Sequence, residues 1–295
     1  MKRQNYSYIK KAYPQYMVLC SLFIFCAFYL ASVVLSFFLS LTDWHIRQPD
    51  INFVGFKNFI RLFGDDRFLA SFRNTFVYAA ITTLLKTALG LVIALVLNRR
   101  FRGVKFFRAL FYMPCILSTL VIGYVFGFIL RPDGLLNGVL KAVGLGVLTR
   151  DWLGNFDTAL YSVALIETWL WTGFCAVIIL AGLQAIPAEL LEASAIDGTN
   201  RLQTFSHVIV PLVRPAINVV LILNIIGGMK VFDIIMATTN GGPGLATEVM
   251  TTFIYKSQST GAMGYAAAIG LVQFLVITVI SITVNQFNRK KEIEL

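Results

Sequence analysis

The sequence predicts an all-α, polytopic membrane protein with six transmembrane helices and both termini in the cytoplasm. Three observations predict it. Of 295 residues, 57% are hydrophobic and 14% charged, whereas a soluble domain carries about 25% charged residues. The apolar residues gather into continuous blocks of about 20 or more, each long enough to cross roughly 30 Å of hydrocarbon as a helix. They do not alternate, as the short segments of a membrane β-barrel would. Finally, the lysines and arginines divide unevenly between successive loops, 14 against nine, the larger number marking the cytoplasmic side.

The six expected spans run from Tyr16 to Leu41, Thr75 to Leu97, Phe107 to Leu130, Ala159 to Leu183, Ala216 to Thr238 and Tyr265 to Phe287. With the N-terminus inside, cytoplasmic segments hold Lys2, Arg3, Lys10 and Lys11, then Arg99, Arg100, Arg102, Lys105 and Arg108, then Arg201 and Arg214, then Arg289, Lys290 and Lys291. The expected organisation is a cytoplasmic tail over 1–15, a membrane domain over 16–287 with a cytoplasmic loop over 184–214, and a second tail over 288–295. The outer loop from Thr42 to Asn74 carries Trp44, Phe53, Phe56, Phe59 and Phe63. These suit short interfacial helices that anchor the chain, or a surface for an outer partner.

Several function classes are excluded. The net charge of +10 comes from residues flanking apolar runs, not from a separate basic domain, so nucleic acid is not a partner. Cys20, Cys26, Cys115 and Cys175 all lie within apolar runs without Cys-x-x-Cys spacing, which suits buried hydrophobes rather than disulfides or metal ligands. The first run lacks a small-residue cleavage site, so it is expected to remain as an anchor. His45 and His207, the two histidines, sit in loops without a metal set. No Gly-x-x-x-x-Gly-Lys-Ser/Thr run is present to cradle phosphates. Gly241-Gly242-Pro243 has no Lys-Ser/Thr after it and reads as a tight outer turn.

The loop before the fifth span is unusually polar. Pro187 suits a first helical turn, and Ala188 to Ile196 reads as helix with Glu189 and Glu192 near its positive end. Gly198 breaks it, permitting a positive φ. Asn200 and Gln203 form a capping-box pair, and Leu202, Phe205 and Ile209 follow at helical spacing. Pro211 and Pro215 are expected to end this helix and start the next span. The result is two short helices joined at Gly198. Their apolar residues, with Glu192, Asp197 and Arg201 beside them, fit a groove on a partner and equally fit a helix pair lying on the bilayer.

Glu192-Ala193, Asp197-Gly198, Phe205, Ile209 and Pro211 resemble the EAA signature of binding-protein-dependent ABC importers, with Ser194 where that family usually has a second alanine. Other stretches are similar to carbohydrate-uptake permeases of the maltose and glycerol-phosphate type. These are Phe53-Val54-Gly55-Phe56-Lys57-Asn58-Phe59, Asn74-Thr75, Phe107 to Pro114, Gly134-Leu135-Leu136-Asn137, Gly182 to Pro187, and Lys230-Val231-Phe232-Asp233 leading to Thr239-Asn240-Gly241-Gly242-Pro243. The likeness covers nearly the whole chain in the family's order. It implies a cell-membrane permease subunit that pairs with a second permease, two ABC ATPases and an extracytoplasmic sugar-binding protein. ATP and Mg2+ are then bound by the ATPases, and this chain is neither an enzyme nor the holder of a cofactor. By the same resemblance Glu192, Ala193, Asp197, Gly198 and Phe205 form the ATPase-coupling contact, and Gly241, Gly242 and Pro243 an outer loop near the pathway mouth.

Lys86, Glu167, Lys230 and Asp233 lie within spans, where a charge costs about 2.5–3.5 kcal/mol and so faces protein or water. Lys230 and Asp233, three apart, are expected on one helix face. A sugar needs hydroxyl-directed hydrogen bonds and an aromatic surface. Asn224, Gly228, Lys230 and Asp233, with Trp169 or Trp171, are therefore candidates to line the translocation cavity. The alternative is that they only hold helices together, Lys86 with Glu167 and Lys230 with Asp233. A stand-alone ion-coupled carrier would use Glu167 and Asp233. No inverted repeat supports it, and it has no need of the polar loop.

Overall fold

A computed structural model describes residues 15–48, 50–99 and 101–289. Most of the expected terminal tails, with Lys2, Arg3, Lys10, Lys11, Lys290 and Lys291, and also Arg100, lie outside those residues, while Gln15, Asn288 and Arg289 fall in helices. Among the described residues the chain is helical, with no strand beyond one isolated bridge between Thr42 and Phe53. Five helices are long and apolar enough to cross a membrane, or six if one bent pair counts as a span. The chain divides into two compact units, one made of residues up to Gly64 with Ile254–Val272, the other of Asp65–Phe253 with Gln273 onward.

In the first unit, helix α1 (Val18–Ser40) has none of its most apolar stretch buried. After it, the short helix α2 (Lys57–Phe63) returns the chain. Asn58 ties this return down, its amide donating to the carbonyls of Ser40 and Thr42, each at 2.8 Å. Asp43 accepts from the Asn52 backbone N–H at 2.7 Å and from its side-chain amide at 3.1 Å. The Arg61 guanidinium lies 4.8 Å from the ring centre of Tyr265.

The second unit is built on α3 (Asp66–Leu97), α4 and α5 (Val104–Ile116 and Thr119–Ile129), α6 (Leu135–Ala142), α7 (Ala159–Gln184), α8 (Ala188–Ile196) and α9 (Arg201–Met229). The short α10 (Asp233–Thr238) follows, and α11 (Met250–Ser259) and α12 (Met263–Arg289) complete the chain. α3 shows how these sequences fold for lipid. Its buried residues include Thr75, Tyr78, Ala79, Thr82, Lys86, Gly90 and Ala94, while Leu84, Leu89, Val92 and Val96 are exposed. The buried stripe at helical spacing is small or polar and the outward face is aliphatic, because lipid solvates Leu and Val as well as a protein core does.

Small residues set several helix crossings in this unit. A Cβ on Gly90 would stand 2.9 Å from that of Cys175, and one on Gly228 the same distance from the Ala79 Cα. On Gly173 it would overlap the Phe111 carbonyl, and on Gly123 the Ala237 methyl. Close backbone approach of this kind supplies dispersion contacts that the hydrophobic effect does not supply within lipid. α7 lies at the centre, with buried residues around most of its circumference.

Three expectations need correction. The second span was expected to begin at Thr75, but its helix starts at Asp66, capped by Asp65, whose carboxylate accepts from the Arg67 N–H at 2.9 Å. That cap outranks the mixed polarity of the next turns. The third span is not one rod: α4 and α5 meet at 92°. Pro114 enters a 3-10 turn and Leu117 and Ser118 are extended, so the helical ladder is cut there. The fifth span is displaced. Pro211 and Pro215 lie inside α9, which begins at Arg201, just after the capping-box residue Asn200, and stops at Met229. A π-turn over Thr204–Ile209, in which the Val210 N–H reaches the Phe205 carbonyl, precedes Pro211 and widens the helix where a proline ring would otherwise clash. The second helix of the expected pair is therefore the first part of the fifth span.

Candidate functional site

Where α9 stops, the chain makes a short non-helical step through Lys230, Val231 and Phe232 before α10 begins at Asp233. Lys230 and Asp233 consequently do not share a helix face. A cavity of about 340 Å3 opens beside this break. Its wall includes Asn224, Gly227, Lys230, Phe232 and Asp233 from the fifth span, Lys86 from α3, Thr119 from α5, and Glu167, Trp171 and Phe174 from α7.

The charges in this wall differ in setting. Lys86 and Glu167 are buried and paired, Nζ to Oε1 at 3.4 Å, joining α3 to α7. Each satisfies the other, as buried charges must. Lys230 and Asp233 are exposed to the cavity. Asn224 is buried, and its amide donates to Thr87 Oγ1 at 3.3 Å and to Cys175 Sγ at 3.4 Å. Trp171 and Phe174 meet edge to face with centroids 5.9 Å apart, presenting an aromatic corner beside the polar groups.

The expected cavity set is thus divided. Asn224, Lys230, Asp233 and Trp171 come together there. Gly228 does not: it faces Ala79 and Thr82 and lets α9 pack on α3, while its neighbour Gly227 lines the cavity. Trp169 points elsewhere, into an apolar groove with Leu89, Phe111 and Pro114, with its ring 5.4 Å from that of Phe126. The two tryptophans are two positions apart, a turn of about 200° around the helix, so only one of them can face the cavity.

The polar loop has the expected local geometry. Pro187 stands at the N-cap position of α8, just before the first turn where it was expected, Gly198 takes φ +74°, and Asn200 and Gln203 form the reciprocal capping box. Glu192, Ala193, Asp197 and Gly198 are exposed, and Phe205 is half-buried. Ser194 is buried, and its carbonyl accepts from the Thr199 hydroxyl at 2.7 Å, which holds the turn closed. Ile196 is 86% exposed and Leu202 74%, so the loop presents aliphatic side chains with carboxylates beside them.

Gly241, Gly242 and Pro243 form the tight turn expected, with positive φ at Asn240, Gly241 and Gly244. Thr247 closes it by donating to the Gly242 carbonyl at 2.7 Å. The Asn74 amide clips the following segment, donating to the carbonyls of Leu245 at 2.8 Å and Glu248 at 3.0 Å. Gly242 and Pro243 border a second, wider cavity of about 680 Å3 with Tyr124, Phe128, Arg131 and Asp151.

A family model for the inner membrane component of binding-protein-dependent transport systems matches residues 86–293. The chain belongs to this family. It is 37% identical to the probable ABC transporter permease YurN of Bacillus subtilis, over 92% of this chain and 94% of that one. It is 32% identical to the trehalose/maltose permease MalF of Thermococcus litoralis, over 92% and 93%. In structure it resembles a bacterial ABC transporter that imports the acidic polysaccharide alginate, with TM-score 0.82 and 23% identity, covering 98% of this chain and 99% of that one. The permease is therefore a multi-pass cell-membrane protein and a translocation component of a binding-protein-dependent ABC importer, not a catalyst. The ion-coupled carrier reading is not favoured, and Glu167, one of its two carboxylates, is engaged by Lys86. A residue that sequence reading passed over, Gln273, proves to contact the break in the fifth span. Its signal was an amide in the middle of an apolar run.

Proposed function

We propose that the permease forms one half of a pathway for an uncharged carbohydrate, the other half coming from a second permease subunit. An extracytoplasmic binding protein delivers the sugar, and two ATPase subunits, which hold ATP and Mg2+, drive the cycle. The observation that carries the substrate class is the cavity wall. Lys86 and Lys230 stand against Glu167 and Asp233, so the wall carries no net charge that would favour an anionic sugar. Trp171 and Phe174 offer a surface for the apolar face of a sugar ring, and the polar groups suit its hydroxyls. The names of relatives, such as the trehalose/maltose permease and an arabinooligosaccharide permease of Bacillus subtilis, support a neutral sugar.

In this reading Glu192, Ala193, Asp197, Gly198 and Phe205 form the contact to an ATPase on the cytoplasmic side, with Ile196 and Leu202 as apolar anchors. Gly241, Gly242 and Pro243 shape the outer mouth. The test is ATP hydrolysis by the assembled transporter with its binding protein, across neutral disaccharides and their uronate counterparts. Stimulation by one or more neutral sugars is expected. Stimulation only by uronates overturns the charge argument, and accumulation by this chain alone under an ion gradient overturns the ABC mechanism.

A further inference from the structure

We infer that Gln273 is a positioning residue for transport: it fixes the break that presents Lys230 and Asp233 to the cavity, without lining the cavity itself. The last four carbonyls of α9 have no partner within the helix. The Lys230 N–H reaches back to the Ile226 and Gly227 carbonyls at 3.1 and 3.2 Å. The Met229 carbonyl, next to the break, is taken by Gln273 Nε2 at 2.7 Å. The same nitrogen donates to Thr251 Oγ1 at 3.0 Å, so both of its hydrogens are used. Gln273 is 7% exposed, and water cannot readily replace it. The Met229 side chain is buried against Ala79 and Ile277, so the last turn of α9 is held from both its side chain and its carbonyl. One residue further on, the chain turns out of the helix and into the cavity wall.

This places a single amide between α12, α11 and the fifth-span break. Without its donors, the Met229 carbonyl is buried and unsatisfied, and the backbone from 229 to 233 is free to seek another partner. The consequence falls on the geometry of Lys230 and Asp233 rather than on the coupling loop.

The test rests in part on the transport reading above, so it uses two readouts. The first is deuterium exchange on the purified permease. Gln273→Met, similar in shape but without a donor, should exchange faster over 229–234, with the Ala188–Gln203 segment unchanged. Wild-type exchange over 229–234, or faster exchange everywhere, overturns the inference whether or not a sugar is ever transported. The second readout is uptake by the complete transporter in proteoliposomes. Gln273→Met should raise the half-saturating sugar concentration about fivefold or more while leaving basal ATP hydrolysis unchanged.

Discussion

At the scale of single residues, polar groups in the membrane region divide into clips and cavity walls. Lys86 and Glu167 make an ion pair at 3.4 Å with both side chains nearly inaccessible. Removing one partner from such a pair costs about 3–5 kcal/mol because the other charge stays buried, whereas replacing both can be neutral. Thermal unfolding in detergent should therefore show Lys86→Met and Glu167→Leu each less stable than the double variant. An equal or additive loss in the double variant would refute the pairing. The motif asparagines are clips. Asn137 donates to the carbonyls of Arg131, Pro132 and Arg150 and accepts from the Trp152 indole at 2.9 Å, organising an outer loop from one buried amide. Asp43 is a clip of another kind. The Asn52 backbone N–H, and then its side-chain amide, hold the Asp43 carboxyl below its ordinary value of 3.8. Its contribution is present above that pH and is lost as pH falls through the lowered folded value. Local exchange at Asn52 should thus match that of Asp43→Asn near neutrality in shape, and loosen in the wild type alone below about pH 3.8. A pH-independent ratio between the two would argue against the clip.

Among elements, the informative features are where helices stop. Gly198 ends α8 at φ +74°, yet a Cβ there would meet nothing within 4 Å. Space is therefore not the constraint; backbone conformation is. A non-glycine residue in the left-handed region costs about 1–3 kcal/mol, asparagine least and β-branched residues most. Co-purification of the permease with its ATPases should accordingly fall in the order glycine, Gly198→Asn, Gly198→Val, and Gly198→Pro should fail, since its ring fixes φ near −65°. Full coupling in Gly198→Pro would show that the turn transmits no force. The other stops were harder to foresee. Pro211 and Pro215 read as terminators in the sequence, and a π-turn before them makes them interior residues. Conversely, nothing between Met229 and Asp233 is a strong helix breaker, yet the helix ends there, with Gln273 on its last carbonyl.

For the whole molecule, burial runs opposite to that of a soluble protein. The most apolar stretch of α1 has nothing buried, whereas that of α7 is 67% buried. The distribution of Lys and Arg predicts an orientation, with both chain ends inside. Reporter fusions at the C-terminus check this: a fluorescent protein fused there should mature, and alkaline phosphatase should be inactive. Active phosphatase would reverse every assignment of inner and outer loop, including the side on which Glu192 and Gly198 meet a partner.

The sequence by itself determined the class, the spans to within a turn or two at most ends, the helical loop with its glycine turn and capping box, and the family. Each depends on local information: run length against bilayer thickness, conformational preference at Gly198, reciprocal hydrogen bonds between Asn200 and Gln203. Only the tertiary structure decided which in-span residues meet. It separated Trp171 from Trp169, gave Gly228 to helix packing and Gly227 to the cavity, and paired Lys86 with Glu167 across 81 positions of chain. Those outcomes depend on the rotation and depth of one helix against another. Lipid sets neither, because it solvates every aliphatic face alike; the small residues and buried polar contacts between helices do.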